Sequence, residues 1–382
     1  MSKKKIVHIY YNTSGNSGLY LNPIKEALDI EFDQEFLVNY YYPLDCSTFN
    51  KWFFKYTEKN ENNTNVKLLS HKKLRKVVRY AELKVANQKA LKYLKNVKPD
   101  AINYSLTNMP DALSFLRKIK EVLPNCKIIV TCHDVVPFQA TNGIDYQGIY
   151  DFSDYLLVHT TNAIEILKKQ YGVFTEKIMY HPFPLIDLSL LSSAENKGRI
   201  ERENPNFLFI GVMRKEKGVQ TLIDAWKKLG PKFEARLHIA GFKPDDVDID
   251  LNRIEGFPNF KMTIKSLSDK EYLDAVQDAD YVVFPYSQVG NSGVLSTVVS
   301  LGKVPVTTKL PTFQESEYCL EELSCEPDNV EALAELLKQI SVTYQEKYND
   351  EVKYIMQKLL DSKKQFAQST LVAYKKMLRF EE

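Results

Sequence analysis

The chain has 382 residues, of which 44% are hydrophobic and 26% are charged, and this composition excludes a chain that is wholly disordered, collagenous or coiled coil. Its length predicts two to three domains. The formal net charge is only +2, which argues against a protein held to nucleic acid mainly by charge, and no apolar run approaches the roughly 18 residues of a membrane span. The five cysteines are scattered, and the basic start lacks a long apolar segment and a cleavage site. We therefore predict a cytoplasmic protein without a structural zinc site.

Short β-type runs alternate with amphipathic helical runs along the chain. In the first half we predict strands at 5–11, 35–40, 101–105, 127–131, 155–159 and 177–181, and helices at 21–28, 68–96, 111–122 and 161–171. Residues 187–205 are polar and are predicted to be a linker. In the second half we predict strands at 207–211, 236–241, 281–285 and 304–307, helices at 218–229, 268–277 and 294–301, and a final helix near 350–379. The alternation predicts an α/β protein with two doubly wound, Rossmann-like domains at 1–187 and 206–350, followed by a helical segment at 351–382.

A basic loop follows the first strand of the second half. The strand is predicted to end near Gly211, and the loop then carries Arg214, Lys215 and Lys217 before Gly218 opens a helix. Fixed cations and backbone N–H groups at a helix start are what a phosphate group needs. The alternative is a solvated basic loop with no ligand.

A second loop of the same half lies between a buried strand and a helix. It runs from Pro285 through Tyr286 to the sequence Asn-Ser-Gly-Val at 291–294. In open α/β sheets the ligand crevice lies at the carboxyl ends of strands, where both loops are predicted to be. The alternative is an ordinary helix cap by Asn291 or Ser292.

Two features of the first half are candidate ligand-contacting groups. His133 and Asp134 follow a predicted strand, and histidine is suited to proton transfer near neutral pH, although a structural histidine at this place stays open. The loop 14–18 follows the first strand but lacks the full GxGxxG fingerprint. It predicts close approach of the backbone to a ligand, not a nicotinamide site.

The predicted helix near 68–96 is strongly basic. Residues 67–98 hold eleven Lys and Arg residues and one acid, Glu82. An apolar stripe at helical spacing is predicted to face the core and consists of Leu74, Val77, Val78, Ala81 and Val85. The excess charge predicts contact with an anionic membrane surface. The alternative is an ordinary domain helix with a solvated basic face.

At these residues the chain resembles glycosyltransferases of the GT-B fold and is similar to the large retaining family 4. In the second half the resemblance is carried by FIGVMRKEKGVQTLIDAW, LHIAGF, SLSDKEYLDAVQDADYVVFPY and NSGVLSTVVSLGKVPVTT. In the first half it is carried by KPDAINYSL, KIIVTCHDVVPF and YLLVHTTNAIEILKKQYGV. The resemblance implies that the nucleotide sugar binds mainly to the second domain and the acceptor to the first, across a cleft. It also implies that the final helix crosses back to the first domain.

The resemblance implies roles for individual residues. Arg214 and Lys217 would hold the donor diphosphate, and His133, beside Asp134, would lie near the transferred sugar. The implied donor-binding residues are Gly15, Ser17, Gly18, Gly211, Tyr286, Asn291, Ser292, Gly293, Val294 and Leu295. The chain departs from the family pattern at two places: there is no pair of glutamates around the donor loop, and Val212 stands where many members have Arg. It therefore resembles a subgroup with an SGVL donor loop that lacks the paired glutamates.

The predicted activity is transfer of a sugar from a nucleoside-diphosphate sugar, UDP- or GDP-linked, to a hydroxyl of a growing, lipid-linked glycan. Retention of configuration is expected, in which the departing phosphate takes the acceptor proton. In an inverting reaction Asp134 or His133 would be the base. We expect no metal and no cofactor, since the nucleotide sugar is a substrate, and no nucleic-acid partner. Peripheral attachment to the inner face of the membrane is expected through residues 67–98. The alternatives are a GT-B epimerase or phosphorylase and a non-catalytic partner subunit.

Overall fold

The computed structural model describes residues 3–11, 17–38, 50–51, 72–106, 111–136, 144–185, 202–245, 247–250 and 254–378. The chain divides into two compact units, Met1–Pro184 with Lys364–Glu382, and Leu185–Lys363. Most of the predicted linker at 187–205 lies outside the described residues, and so does Gly15 of the predicted donor-binding loop.

The first unit contains a seven-stranded parallel sheet. Its elements in chain order are β1 (Lys4–Tyr10), α1 (Ser17–Leu28), β2 (Phe32–Val38), β3 (Asn50–Lys51), α2 (Lys72–Val97), β4 (Ala101–Leu106), α3 (Ala112–Val122), β5 (Lys127–Cys132), α4 (Tyr146–Phe152), β6 (Tyr155–Val158), α5 (Thr161–Tyr171) and β7 (Ile178–Tyr180). The strand order is β3-β2-β1-β4-β5-β6-β7, so the winding direction reverses between β1 and β4. Helix α5 begins at an N-cap, Thr160, and ends at Gly172, which has a left-handed backbone with φ +64°.

The second unit contains a six-stranded parallel sheet. Its elements are β8 (Asn206–Ile210), α6 (Val219–Leu229), β9 (Arg236–Gly241), β10 (Phe260–Ile264), α7 (Asp269–Asp278), β11 (Tyr281–Phe284), α8 (Gly293–Ser300), β12 (Val304–Thr308), α9 (Pro311–Gln314) and β13 (Ser324–Cys325). The strand order is β10-β9-β8-β11-β12-β13, with the reversal between β8 and β11. The last helix, α10 (Val330–Leu378), begins in this unit, and its residues from Lys364 onward are grouped with the first unit.

Apolar side chains cover both faces of the first sheet. One face packs on α2 and α3 through residues such as Leu94 and Leu116. The other face packs on α1 and the end of α10, where Phe366 and Tyr374 are buried. Strands that are buried on both faces consist of continuous apolar runs, and most of them could therefore be predicted from the sequence. The predicted α/β class with two doubly wound units is confirmed.

The predicted orientation of helix α2 is wrong. Val77 is 66% exposed and Val85 is 50% exposed, and Ala81 between them is exposed as well. Val78 is half-buried, and the side chain of Leu74 lies outside the described part of the structure. The residues that face the core are instead Leu83, Ala86, Asn87, Ala90 and Leu94. Small and large apolar residues recur at helical spacing on both sides of this helix, so packing against the sheet, not periodicity, decides which side is buried.

Two further observations concern the described part of the chain. None of its helices is long and apolar enough to cross a membrane. Within the same residues no group of three or more His, Cys, Asp or Glu side chains is arranged to hold a metal ion.

Candidate functional site

The turn after β8 depends on two glycines that pack against each other. Gly211 has φ +128°, and its N–H donates to the carbonyl of Ala240 on the neighbouring strand at 3.0 Å. Gly241, with φ +142°, lies so close that a Cβ there would be 1.9 Å from the Gly211 carbonyl oxygen. Only glycine accepts both the backbone angles and this approach. The carboxyl ends of β8 and β9 are thus fixed where the basic loop begins.

The basic loop lies directly against the loop that follows β11. Residues Lys215–Lys217 form a 3-10 turn, and Gly218 after it has φ +61°. A Cβ on Gly218 would lie 1.7 Å from the Pro285 carbonyl oxygen. The Ser287 N–H donates to the Glu216 carbonyl at 3.0 Å. The two loops that the sequence singled out separately therefore form one continuous edge, at the point where the strand order of this sheet reverses.

The two predicted diphosphate-binding cations have different surroundings. The Lys217 Nζ lies 3.8 Å from the centroid of the Tyr286 ring, a cation–π contact, and Lys217 as a whole is half-buried. The Arg214 side chain is 43% exposed, and its Nη1 lies 3.9 Å from Glu216 Oε1. An exposed pair at this distance contributes little, so Arg214 can exchange Glu216 for a stronger anion at small cost.

Tyr286 joins the cations to the start of helix α8. Its ring is 2% exposed, packs on Phe284 and Phe313, and its hydroxyl is hydrogen-bonded to the side chain of Ser292. Burial raises the pKa of the Tyr286 hydroxyl well above its ordinary value, although the Ser292 hydrogen bond opposes the shift. The hydroxyl therefore stays protonated and neutral at physiological pH.

Helix α8 starts at this edge with its N-terminus. Ser292 is the N-cap, and its Oγ accepts the Leu295 N–H at 3.2 Å. The first N–H groups of any helix have no acceptor inside the helix, and the helix dipole adds partial positive charge there. The preceding loop is held by Thr312, whose Oγ1 donates to the Gly290 carbonyl at 3.1 Å. The arrangement suits a phosphate group between the helix start and the two cations.

In the first unit, His133 lies in an aromatic cluster at the carboxyl end of β5. Its half-buried ring stacks on Tyr10 at 5.4 Å between centroids, and Tyr20 approaches it edge-on at 4.7 Å. Burial lowers the pKa of His133 to about 4, so the imidazole is neutral near pH 7. It can donate or accept a hydrogen bond but supplies no positive charge. Asp134 next to it is exposed.

The sequence did not reveal the residues that surround His133. They are Tyr10, Tyr20, His159 and Phe183. Tyr10, His133 and His159 stand at or just after the carboxyl ends of β1, β5 and β6, and this shared position is the signal that could have grouped them.

The structure brings most of the predicted donor-binding residues together in the second unit. Arg214, Lys217, Gly211 and Tyr286 lie with residues 291–295 along the edge formed by the two loops. His133 and Asp134 belong to the first unit, where Ser17 and Gly18 open helix α1. The side chains at these two helix positions lie outside the described part of the structure.

Comparison with solved structures identifies the fold. The catalytic domain of starch synthase IV from Arabidopsis thaliana, bound to ADP and acarbose, is similar with a TM-score of 0.68 and 11% identity, over 99% of this chain and 100% of that one. A trehalose-6-phosphate protein from E. coli, bound with UDP-2-fluoro glucose, gives 0.65 and 12% over 99% of each chain. A lipopolysaccharide outer core galactosyltransferase gives 0.60 and 14% over 96% and 99%. At such identities the likeness shows the fold alone, which is GT-B.

Sequence comparison concerns the second unit. No match was found among curated proteins. Residues 204–341 match the family described as Glycosyl transferases group 1. The matched segment contains both loops of the candidate site, with Arg214, Lys217 and residues 291–295. The family match and the GT-B fold together indicate that the chain is a glycosyltransferase.

Proposed function

We propose that the chain transfers a sugar from a UDP- or GDP-linked donor to a hydroxyl of a growing glycan. The observation that carries this proposal is the direct contact between the basic loop and the loop before α8, through Gly218 and Pro285. This contact puts two cations and a helix N-terminus along one sheet edge. A nucleoside diphosphate needs both kinds of group, because its two phosphates carry several negative charges.

The same groups would act on the leaving group. As the bond between the sugar and the diphosphate breaks, negative charge grows on the departing phosphate. Arg214, Lys217 and the N–H groups at the start of α8 would stabilise that charge, and one fixed donor of this kind contributes about 3 kcal/mol. These protein groups would stabilise the departing phosphate without a divalent metal. With retention, the departing phosphate would take the acceptor proton, and neutral His133 would orient or polarise the sugar.

The acceptor in this proposal is a glycan carried on a lipid. The support comes from helix α2, whose outward face exposes Val77, Ala81 and Val85, with the exposed Lys92 and Lys95 further along the helix. Lys84 forms an ion pair with Asp111 at 2.6 Å, so its charge is partly compensated. Exposed apolar side chains beside cations are typical of a helix that lies on an anionic membrane, where each nearby cation contributes about 1 kcal/mol.

The donor proposal is tested with a thermal-shift panel of UDP, GDP, dTDP and their sugars, followed by turnover of the sugar nucleotide that stabilises the protein most. Arg214→Ala and Lys217→Ala should each lower donor affinity or turnover at least tenfold, about 1.4 kcal/mol. Lys215→Ala is the matched control, because Lys215 is an exposed cation of the same loop. Equal behaviour of all three variants would refute the site.

Other outcomes would point to the alternative functions. Isomerisation or phosphorolysis of the donor would indicate an epimerase or a phosphorylase. Tight donor binding without any turnover, across acceptors of several classes, would indicate a non-catalytic partner subunit.

A further inference from the structure

Tyr20 is the centre of the aromatic cluster in the first unit. It lies in the first turns of α1 and is 3% exposed. Its ring contacts four other rings, with centroid distances of 4.7 Å to His133, 5.6 Å to Phe183, 5.8 Å to His159 and 5.9 Å to Tyr10. The side chain thus ties the start of α1 to the ends of three strands, and the pattern of apolar residues in the sequence gives no reason for a tyrosine over a phenylalanine here.

The Tyr20 hydroxyl faces His159 and also lies beside the side chain of Thr131. It lies 3.2 Å from Nε2 of His159, and Nδ1 of the same ring lies 3.3 Å from the carbonyl oxygen of His181. A carbonyl oxygen only accepts hydrogen bonds, so Nδ1 carries the proton and Nε2 accepts from the Tyr20 hydroxyl. Burial lowers the pKa of His159 well below its ordinary value, and the nearby His181 and His133 lower it further. The ring therefore keeps this neutral, single-proton form.

We infer that Tyr20 is a positioning residue for His133, held in place by its hydrogen bond to His159. The Tyr20 ring meets the His133 ring edge-on at 74°, while Tyr10 stacks on it at 24°. Two rings at such different angles leave the imidazole little freedom to turn. This inference rests on the proposed function, in which His133 acts on the sugar.

Tyr20 also connects two parts of the candidate site. Tyr20 is two residues after Gly18, which belongs to the predicted donor-binding loop. A hydrogen bond that fixes Tyr20 therefore fixes the beginning of α1 relative to His133. Tyr20 would therefore align both the beginning of α1 and His133. His159, which holds Tyr20, is not proposed to contact the donor.

The test uses the full chain with ¹⁵N-labelled histidine, without substrate. Tyr20→Phe should move the ring signals of His159 and His133, and Tyr20→Leu should move the His133 signals further, because it removes the edge-on ring. The matched control is Tyr104→Phe, which removes the hydroxyl of a buried tyrosine that packs on Phe115 in the other core of the same unit. Its His133 signals should stay within the scatter of the native protein. Unchanged His133 signals in both Tyr20 variants, or equal changes in the control, would overturn the inference.

Kinetics give the second readout. With the sugar nucleotide selected by the thermal-shift panel, Tyr20→Phe should lower kcat about tenfold with donor KM within twofold of native, because the ring stays in place. Tyr20→Leu should lower kcat about a hundredfold and also raise donor KM, because the start of α1 is then no longer held against His133. A rise in KM with native kcat would contradict a positioning role. Failure of every nucleotide to bind the native chain would refute the proposed function instead, and the NMR comparison would still decide the role of Tyr20.

Discussion

The two units carry different chemical groups at the carboxyl ends of their sheets. In the second unit the edge carries Arg214, Lys217 and the N-terminus of α8, all positive or partly positive. In the first unit the corresponding edge carries His133 among aromatic rings, and its pKa of about 4 keeps it neutral. The same doubly wound topology thus carries a positively charged edge in one unit and a neutral, aromatic edge in the other. Charge and polarity of the loops, not the fold, make the difference.

The largest expected effect concerns helix α2 of the first unit, whose first five residues include four cations. Replacing Lys72, Lys73, Arg75 and Lys76 by Gln should release the protein from anionic liposomes, since four cations together contribute about 4 kcal/mol at the membrane surface. Binding should also weaken as salt rises, because the screening length falls from about 10 Å at 0.1 M to about 3 Å at 1 M. Flotation with anionic and neutral vesicles measures both effects.

The control for that experiment removes the same charge from the second unit. Lys227, Lys232, Lys261 and Lys270 are exposed, and their replacement by Gln should leave flotation unchanged. Absence of the native protein from both kinds of vesicle would remove the membrane proposal and favour an acceptor that is free in solution. Donor binding should be native in both sets of variants.

A smaller effect is expected from the contact between the two loops of the second unit. Gly218→Ala would put a Cβ against the Pro285 carbonyl and should lower nucleotide affinity about a hundredfold, together with the melting temperature. Gly172→Ala is the control: its backbone, with φ +64° and ψ +22°, nearly equals that of Gly218, but nothing lies within 4 Å of the new Cβ. It should show only the cost of the left-handed backbone, about 1 kcal/mol, with native affinity. Equal loss of affinity in both variants would contradict the loop contact.

His133 tests the neutral side of the comparison. His133→Gln should lower kcat ten- to a hundredfold while nucleotide affinity stays within twofold. Because burial lowers the pKa of His133 to about 4, its neutral form persists from pH 8 down to about pH 5. The activity that depends on neutral His133 should fall only as the pH drops through the pKa of about 4. A pH–rate profile measures this. An inflection near 6.5 that disappears in the variant would show an exposed, ordinary histidine.

The smallest expected effect is that of a chelator. Since Arg214 and Lys217 are proposed to supply the positive charge, saturating EDTA should change turnover less than twofold. Complete loss of activity, restored by magnesium or manganese, would mean that protein cations are not the main stabilisers of the leaving group.

The sequence predicted those parts of the molecule that depend on local pattern. The buried strands β4, β5, β8 and β11 are apolar runs bounded by turns, and the loops after β8 and β11 carry the residues that drew attention to them. Strand β10 was missed because it is an edge strand with alternating polar residues, and its side chains are only partly buried. Helix α10 starts at Val330, about twenty residues before the predicted start.

Other features depend on contacts between distant residues and could not be predicted. The core-facing side of α2 is chosen by the sheet beneath it, since both sides of the helix offer apolar residues. The contact of Gly218 with Pro285 joins residues far apart in sequence, and each was interpretable only within its own loop. The cluster around His133 is assembled from β1, α1, β5, β6 and the segment after β7, and no local pattern connects those positions.

The edge of the second unit is proposed to bind a diphosphate. Isothermal titration of the full chain with UDP, UMP and uridine, or with the guanosine series if the thermal-shift panel selects GDP, tests it most directly. Affinity should fall at least tenfold with each phosphate removed, and this dependence should disappear in the variant with both Arg214→Ala and Lys217→Ala. Equal affinity for the diphosphate and the nucleoside in the native chain, or an unchanged phosphate dependence in the double variant, would contradict the account.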